Sequence, residues 1–231
     1  MNELAFDGQN PDVGLLYNIN DLARYAPGWL DRTVEFTGQY GLVAAMAVLL
    51  LVSWWRGARR QGDDAPSAVA GVVWAGLAAL IAVLLNVPVR SLVQRPRPFA
   101  DHQNLDVLLH GTSGFSFVSD RSAFTMAVGV GLFMVHRRAG LTGIALAMAE
   151  GFTRVFVGVH YPTDVIGGFA LGTATALLLA PLAMLLLGPA MTALARTWAG
   201  ALVRSAKPVR KAPVRGEPYP EPTACDKDLA A

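Results

Sequence analysis

Five stretches of this chain carry almost no charge and are long enough, or nearly so, to cross a bilayer as helices. They run about Thr37 to Trp55, Ser67 to Val89, Ser122 to Val135, Ala139 to Val157 and Asp164 to Leu187. A hydrocarbon core of about 30 Å takes roughly 20 mostly apolar residues per helix. The pattern therefore predicts an all-α, polytopic membrane helix bundle of about five transmembrane helices. The first span ends in Trp54 and Trp55, an aromatic pair suited to the interface. The third is short and is expected to begin inside the polar motif before it. Pro181 predicts a kink in the fifth. Ahead of the spans, Pro11 to Gln39 places Leu15, Leu16, Ile19 and Leu22 on one side, which predicts one or two amphipathic helices lying in the interface. From about Ala206 the chain is rich in Pro, Lys, Arg and Glu without apolar periodicity, as a disordered tail facing anionic lipid would be. The expected organisation is an amphipathic N-terminal segment over 1–36, a transmembrane core over 37–187 and a largely disordered basic tail over 188–231.

Composition agrees with a membrane protein. Of 231 residues, 53% are hydrophobic and 16% charged, where a soluble domain carries about a quarter charged. A net charge of +2, with no basic stripe interleaved with aromatics, argues against a nucleic-acid partner. The single Cys225 excludes an internal disulfide and a cysteine cluster for zinc or iron–sulfur. No carboxylate cluster has metal-site spacing, so neither metal nor cofactor is expected. Glu3, Asp7, Asp12 and Asp21 precede any long apolar run, so no cleavable leader is expected and targeting falls to the first span.

Loop charge predicts the orientation. Arg56, Arg59 and Arg60 follow the first span, Arg137 and Arg138 lie between the third and fourth, and Arg196, Arg204, Lys207, Arg210, Lys211 and Arg215 follow the fifth. Five spans put all three segments on one side, the cytoplasm. The C-terminus is then cytoplasmic and the acidic N-terminus outside.

Several ionisable residues break the pattern. Arg90, Arg95 and Arg97 cluster where the second span leaves the membrane on the outer side. Snorkelling accounts for a lone arginine, but three within a rigid Arg-Pro-Arg-Pro context suit an anion site. Glu150 and Arg154, four apart in the fourth span, can pair on one helix face; a structural ion pair is the alternative to a functional one. Then comes His160-Tyr161-Pro162-Thr163-Asp164 at the outer entrance to the fifth span. Asp164, four residues on, is placed to accept from one imidazole nitrogen and leave the other free to attack.

In order and spacing these residues resemble the motifs of the type 2 phosphatidic acid phosphatase superfamily, membrane lipid phosphatases related to vanadium haloperoxidases. Those motifs are K-x6-R-P, P-S-G-H and S-R-x5-H-x3-D. The chain has Arg90-x6-Arg97-Pro98, Val118-Ser119-Asp120-Arg121 and Thr153-Arg154-x5-His160-x3-Asp164, and the resemblance spans about Tyr17 to Leu187. The short amphipathic N-terminal region and the Ser-Asp form of the second motif look most like bacterial undecaprenyl-pyrophosphate phosphatases. The resemblance implies Arg90, Arg97 and Arg154 as phosphate ligands, with Ser119 and the Asp120 amide adding hydrogen bonds. It implies His160 as the nucleophile that becomes phosphohistidine and Asp164 as its orienter; Glu150, by its spacing of four from Arg154, is read as support for that arginine. It also implies a bacterial inner (plasma) membrane protein with an extracytoplasmic site, whose partners are membrane lipids and a lipid diphosphate or lipid phosphate substrate.

One position departs from the family. Arg121 stands where the family has the histidine that protonates the leaving oxygen, and arginine stays charged near neutral pH. Loss of a general acid costs about 10² to 10⁴ in rate. A lipid diphosphate releases a phosphate monoester, whose second pKa is about 6 by analogy with phosphoserine, and such a group departs unassisted. A lipid monophosphate releases an alkoxide, which does not. Arg121 is also placed to neutralise a leaving phosphate. The expected activity is thus hydrolysis of polyprenyl diphosphate to the monophosphate at the outer leaflet. The alternatives are a phosphatidate-type phosphatase and a catalytically impaired member that binds lipid phosphate. His102 and His110 are candidate substitute acids, or ordinary loop histidines.

Overall fold

The computed structural model describes residues 11–25, 27–60, 65–102, 105 and 114–203. Glu3, Asp7, His110, the tail from Arg204 with Cys225, and the side chains of Arg59 and Arg60 lie outside the described set. Among the described residues the chain is helical, with no strand.

Helix α1 covers Pro11–Arg24 and α2 covers Gly28–Phe36; a π-helical turn, Thr37–Gly41, leads into α3, Leu42–Arg60. The run Gly28–Ala58 is one helical path long and apolar enough to cross a membrane, so the helix that carries the first span starts before Thr37. Helix α4, Ala65–Val93, continues toward the short α5, Pro98–Asp101, and this second stretch is also long and apolar enough to cross a membrane. Helices α6, Asp120–Val135, and α7, Arg137–Phe156, follow, then α8, Pro162–Leu178, and α9, Ala180–Leu194. The last two are bent by 51° and pass as a span only together. The bend falls at Leu179, two residues before Pro181, close to where the kink was expected.

Helix α6 is the centre. It is apolar all round and buried from Ser122 to Leu132 except at the half-buried Phe124, as a core helix should be, with α4, α7 and α8 packed around it. Small residues set the separations. A Cβ on Gly129 would come 2.7 Å from the Ile144 amide nitrogen, and one on Gly172 2.3 Å from the Ala123 carbonyl oxygen. Membrane helices close on such positions because backbone approach supplies the dispersion contacts. The Trp74 indole donates to the Ala176 carbonyl at 3.1 Å and ties α4 to α8.

Two margins differ from the sequence expectation. Helix α1 does not merely lie in the interface: Leu16 is fully buried and packs with Val13 against Val155, Tyr161 and Val165, while Leu15 and Leu22 face outward. Helix α9 runs past the Leu187 boundary, and beyond it Ala195 and Val203 are buried with Ala58 and Val69. The ends of the bundle are distinct. The C-terminal ends of α4 and α7 meet the N-terminal ends of α6 and α8 at one end. Elsewhere, Arg56, His136, Arg137 and Arg138 share a cleft of ≈ 490 Å³ between α3 and the α6–α7 turn.

Candidate active site

The arginine-rich segment is built by stopping a helix abruptly. After α4 the backbone turns at Gln94, with φ at 50°, and Pro96 and Pro98 hold the next residues extended into the α5 cap. Arg90, in the last turn of α4, forms an ion pair with Asp120 and donates to the Val118 carbonyl at 3.3 Å. One turn earlier the fully buried Asn86 amide donates to the Val118 carbonyl at 2.8 Å and to Asp120 Oδ1 at 2.5 Å. Asn86 was passed over in the sequence; its signal was a lone amide in an apolar span. Arg97, 9% exposed, donates from Nε to the Gly114 carbonyl at 3.1 Å and from Nη1 to the Val159 carbonyl at 3.3 Å.

Ser119 caps α6. Its hydroxyl oxygen accepts from the Ser122 amide at 3.4 Å and the Ser122 hydroxyl at 3.0 Å, and its own amide donates to the Asp164 carbonyl at 3.1 Å. The second and third motifs are thereby joined through backbone. Asp120 has its carboxylate on Arg90 and Asn86, so it fixes an arginine as well as presenting an amide. Arg121 points at the π-helical turn. Its Nη1 donates to the Gly38 and Gln39 carbonyls at 3.2 and 2.6 Å and lies 3.9 Å from Glu150. Arg154 donates to the same Gly38 carbonyl, and its Nε sits 3.1 Å from Glu150 Oε1. Glu150 and Arg154 do share a helix face, both buried. A Cβ on Gly38 would approach Thr153 Oγ1 to 2.8 Å and Arg154 Nη2 to 3.0 Å, so the turn can reach the arginines only as glycine.

Gly158, with φ at 74°, ends α7. The Val159 amide returns to the Arg154 carbonyl at 3.2 Å, a left-handed cap of the kind glycine favours. This turn carries His160, 7% exposed, into the centre. The expected hydrogen bond to Asp164 is not closed: Nδ1 stands 3.7 Å from Asp164 Oδ2, beyond hydrogen-bond reach. Instead Asp164 Oδ2 accepts the Tyr161 amide at 3.0 Å, and Oδ1 accepts Arg95 Nη1 at 3.0 Å. The third arginine of the cluster is thus committed to protein groups. Its guanidinium also lies 3.7 Å over the Tyr161 ring. His160 lies in the turn between α7 and α8. Burial pushes its pKa below 6.5, outweighing the raising effect of Asp164, while Arg97 and Arg154 lower it further. Burial pushes the Tyr161 phenol up to about 12. His102 packs edge-on against Tyr17 and Tyr161, at 6.1 and 6.0 Å between ring centroids.

A bundle of apolar helices that buries arginines, a histidine and carboxylates where four helix ends meet is the build of a membrane protein with a candidate polar site. Comparison with known proteins gives the family. The chain belongs to the PAP2 superfamily, whose profile matches residues 71–186, and it is a lipid phosphatase. It is 31% identical over 159 residues to the bacitracin transport permease protein BcrC of Bacillus licheniformis, covering 69% of this chain and 74% of that one. It is 28% identical over 138 residues to undecaprenyl-diphosphatase BcrC of Bacillus subtilis, covering 60% and 67%. The crystal structure of Aquifex aeolicus LpxE superposes with a TM-score of 0.56 at 17% identity, over 76% of this chain and 98% of that one; that likeness concerns the fold.

Proposed function

We propose that this phosphatase hydrolyses a polyprenyl diphosphate to the monophosphate at the outer leaflet of a bacterial inner membrane, through a phosphohistidine on His160. The observation that carries the substrate class is the surroundings of Arg121. Asp120 and Arg121 line, with Gln39 and Tyr40, a cleft of ≈ 630 Å³ whose other walls include Val43, Ala47, Val83 and Phe124. A polar headgroup at the arginines with an apolar chain in this cleft is the outline of a lipid phosphate. Arg121 at that junction faces the phosphate that stays on the lipid. The similarity to the Bacillus subtilis undecaprenyl-diphosphatase supports the same reading. Arg56, Arg137 and Arg138 share one cleft, which supports a cytoplasmic placement for their end and an outward one for His160.

In this reading His160 Nδ1 keeps its proton toward Asp164, and the Nε2 lone pair attacks the terminal phosphorus in line. The P–O bond to the inner phosphate breaks, its electron pair leaving on the lipid monophosphate as an anion. Arg90, Arg97 and Arg154 hold the three equatorial oxygens, aided by Ser119 and the Asp120 amide, and Glu150 fixes Arg154. Water then attacks phosphorus, the P–N pair returns to Nε2, and the released proton goes to solvent. The 3.7 Å gap between His160 and Asp164 is of the kind that tightens when substrate binds. A second reading, a silent lipid-phosphate binder, rests on Arg121 having no proton to give.

The test is phosphate release by purified protein from a prenyl diphosphate and from phosphatidate, with an acid-labile phosphoenzyme sought in parallel. His160→Ala should abolish release and labelling while the melting temperature holds. Full activity in that variant would sink the nucleophile assignment. An inactive wild type that still binds prenyl phosphate would favour the silent binder.

A further inference from the structure

Helix α1 brackets the turn that carries His160. At the start of that turn, Asn20 Nδ2 donates to the Phe156 carbonyl at 2.9 Å. At its finish, Asp12 Oδ1 accepts the Thr163 amide at 3.0 Å and Oδ2 accepts the Thr163 hydroxyl at 2.6 Å. Thr163 is the second residue of α8, and Tyr161 at the cap position makes no side-chain cap bond. Asp12 therefore supplies, from another helix, the acceptor and negative charge that a helix N-terminus favours. Between these two clasps Val13 and Leu16 pack on Val155, Tyr161 and Val165.

Arg95 connects this splint to the carboxylate beside the histidine. Its Nη2 donates to Asp12 Oδ2 at 2.6 Å. Its Nη1 donates to Thr163 Oγ1 at 2.7 Å and to Asp164 Oδ1 at 3.0 Å. With Oδ2 already held by the Tyr161 amide, the Arg95 contact fixes the plane of a fully buried carboxylate whose Oδ2 faces His160. To bind a phosphate, the Arg95 guanidinium would have to give up two carboxylates and leave the Tyr161 ring. We propose that Asp12 and Arg95 are a positioning pair that makes helix α1 part of the catalytic apparatus. The pair acts through Asp164 on His160 and does not bind phosphate. This rests on the His160 reading above.

A displacement of about 1 Å at a reacting group costs on the order of 10²-fold in rate. Asp12→Ala and Arg95→Lys should each lower kcat on farnesyl diphosphate by about that factor, with KM and competitive inhibition by inorganic phosphate unchanged. Lysine retains the charge but not the planar fork that spans both carboxylates. The double variant should be no slower than the slower single one, because both break one linkage. If Asp12→Ala does not fold, Asp12→Asn keeps an acceptor for the Thr163 amide, puts an amide NH2 in place of the oxygen that accepts from Arg95, and carries the same expectation. Weakened phosphate inhibition in Arg95→Lys would overturn the proposal by making Arg95 a phosphate ligand. Wild-type kcat in a folded Asp12 variant would overturn it while leaving an inactive His160→Ala, and so the nucleophile, intact. Full activity in His160→Ala would overturn both.

Discussion

Arg121→His separates leaving-group chemistry from binding. The substitution removes hydrogen bonds to the Gly38 and Gln39 carbonyls at 3.2 and 2.6 Å. Bonds from charged donors contribute roughly 1.5–3 kcal/mol each at full burial; with the side chain 33% exposed, about 1–2 kcal/mol in all is the expected loss. Glu150 keeps Arg154 at 3.1 Å, so no buried charge is orphaned and the protein should fold. On phosphatidate, restoring a general acid should raise kcat by about 10² to 10⁴, or roughly 3–5 kcal/mol of barrier at 1.36 kcal/mol per decade. On a prenyl diphosphate the departing phosphate is already a stable anion, and the gain should stay under about tenfold. Both substrates share His160 and the arginine clamp, so a change in binding moves both rates together. The assay is phosphate release from each substrate in mixed micelles, wild type against variant. Equal gains would refute the leaving-group account and mark Arg121 as an obstruction. No gain on either, in a folded protein that binds prenyl phosphate, would favour the silent member.

Gly38→Ala should push Arg154 off its carbonyl, because the new Cβ would lie 2.8 Å from Thr153 Oγ1 and 3.0 Å from Arg154 Nη2; overpacking of this kind costs about 1–3 kcal/mol, visible as a lower melting temperature and a raised KM. Asp164→Asn should cost less activity than His160→Ala, since it keeps an acceptor for the Tyr161 amide and removes the charge facing Arg95. The depressed pKa of His160 has a sign that can be checked. As pH falls through about 6.5 the unfolded chain takes up a proton that the folded one refuses, so stability drops on acidification below that point. Activity should hold down to the same region because the imidazole stays neutral, and the histidine part of the stability slope should vanish in His160→Ala. For topology, single cysteines at Ala100 and at Arg56, both exposed, in a background lacking Cys225, should label with an impermeant reagent from outside whole cells at 100 and not at 56. The reverse result would place the site in the cytoplasm.

What the sequence carries well is charge against an apolar background. The anomalies Arg90, Arg97, Arg154, Glu150 and His160 stood out because an ionisable group in a span has few bland explanations, and the structure gathers them where four helix ends meet. The partners that orient those charges were far less legible. Gly38 and Gln39 act through main-chain carbonyls, which no residue letter specifies, and only the π-helical widening of Thr37–Gly41 aims them at Arg121 and Arg154. π-Helical turns are rare and tend to occur at functional sites, yet hydropathy sees the segment as the continuous start of a span. Asp12 looked like one acidic residue of a polar N-terminus, and the amphipathic stripe around it fits an interfacial helix equally well. What distinguishes docking from lying on lipid is whether polar residues among the apolar ones find partners. Asn20 on the Phe156 carbonyl and Asp12 on Thr163 do so across 136 and 151 residues of sequence, a separation that periodicity cannot span. The same limit explains Asp164. Spacing placed it within reach of His160, but the helix cap and Arg95 compete for its oxygens, and those competitors set the 3.7 Å gap. Orientation in this centre is therefore a property of contacts between distant segments, even where the candidate reacting groups are written plainly in one.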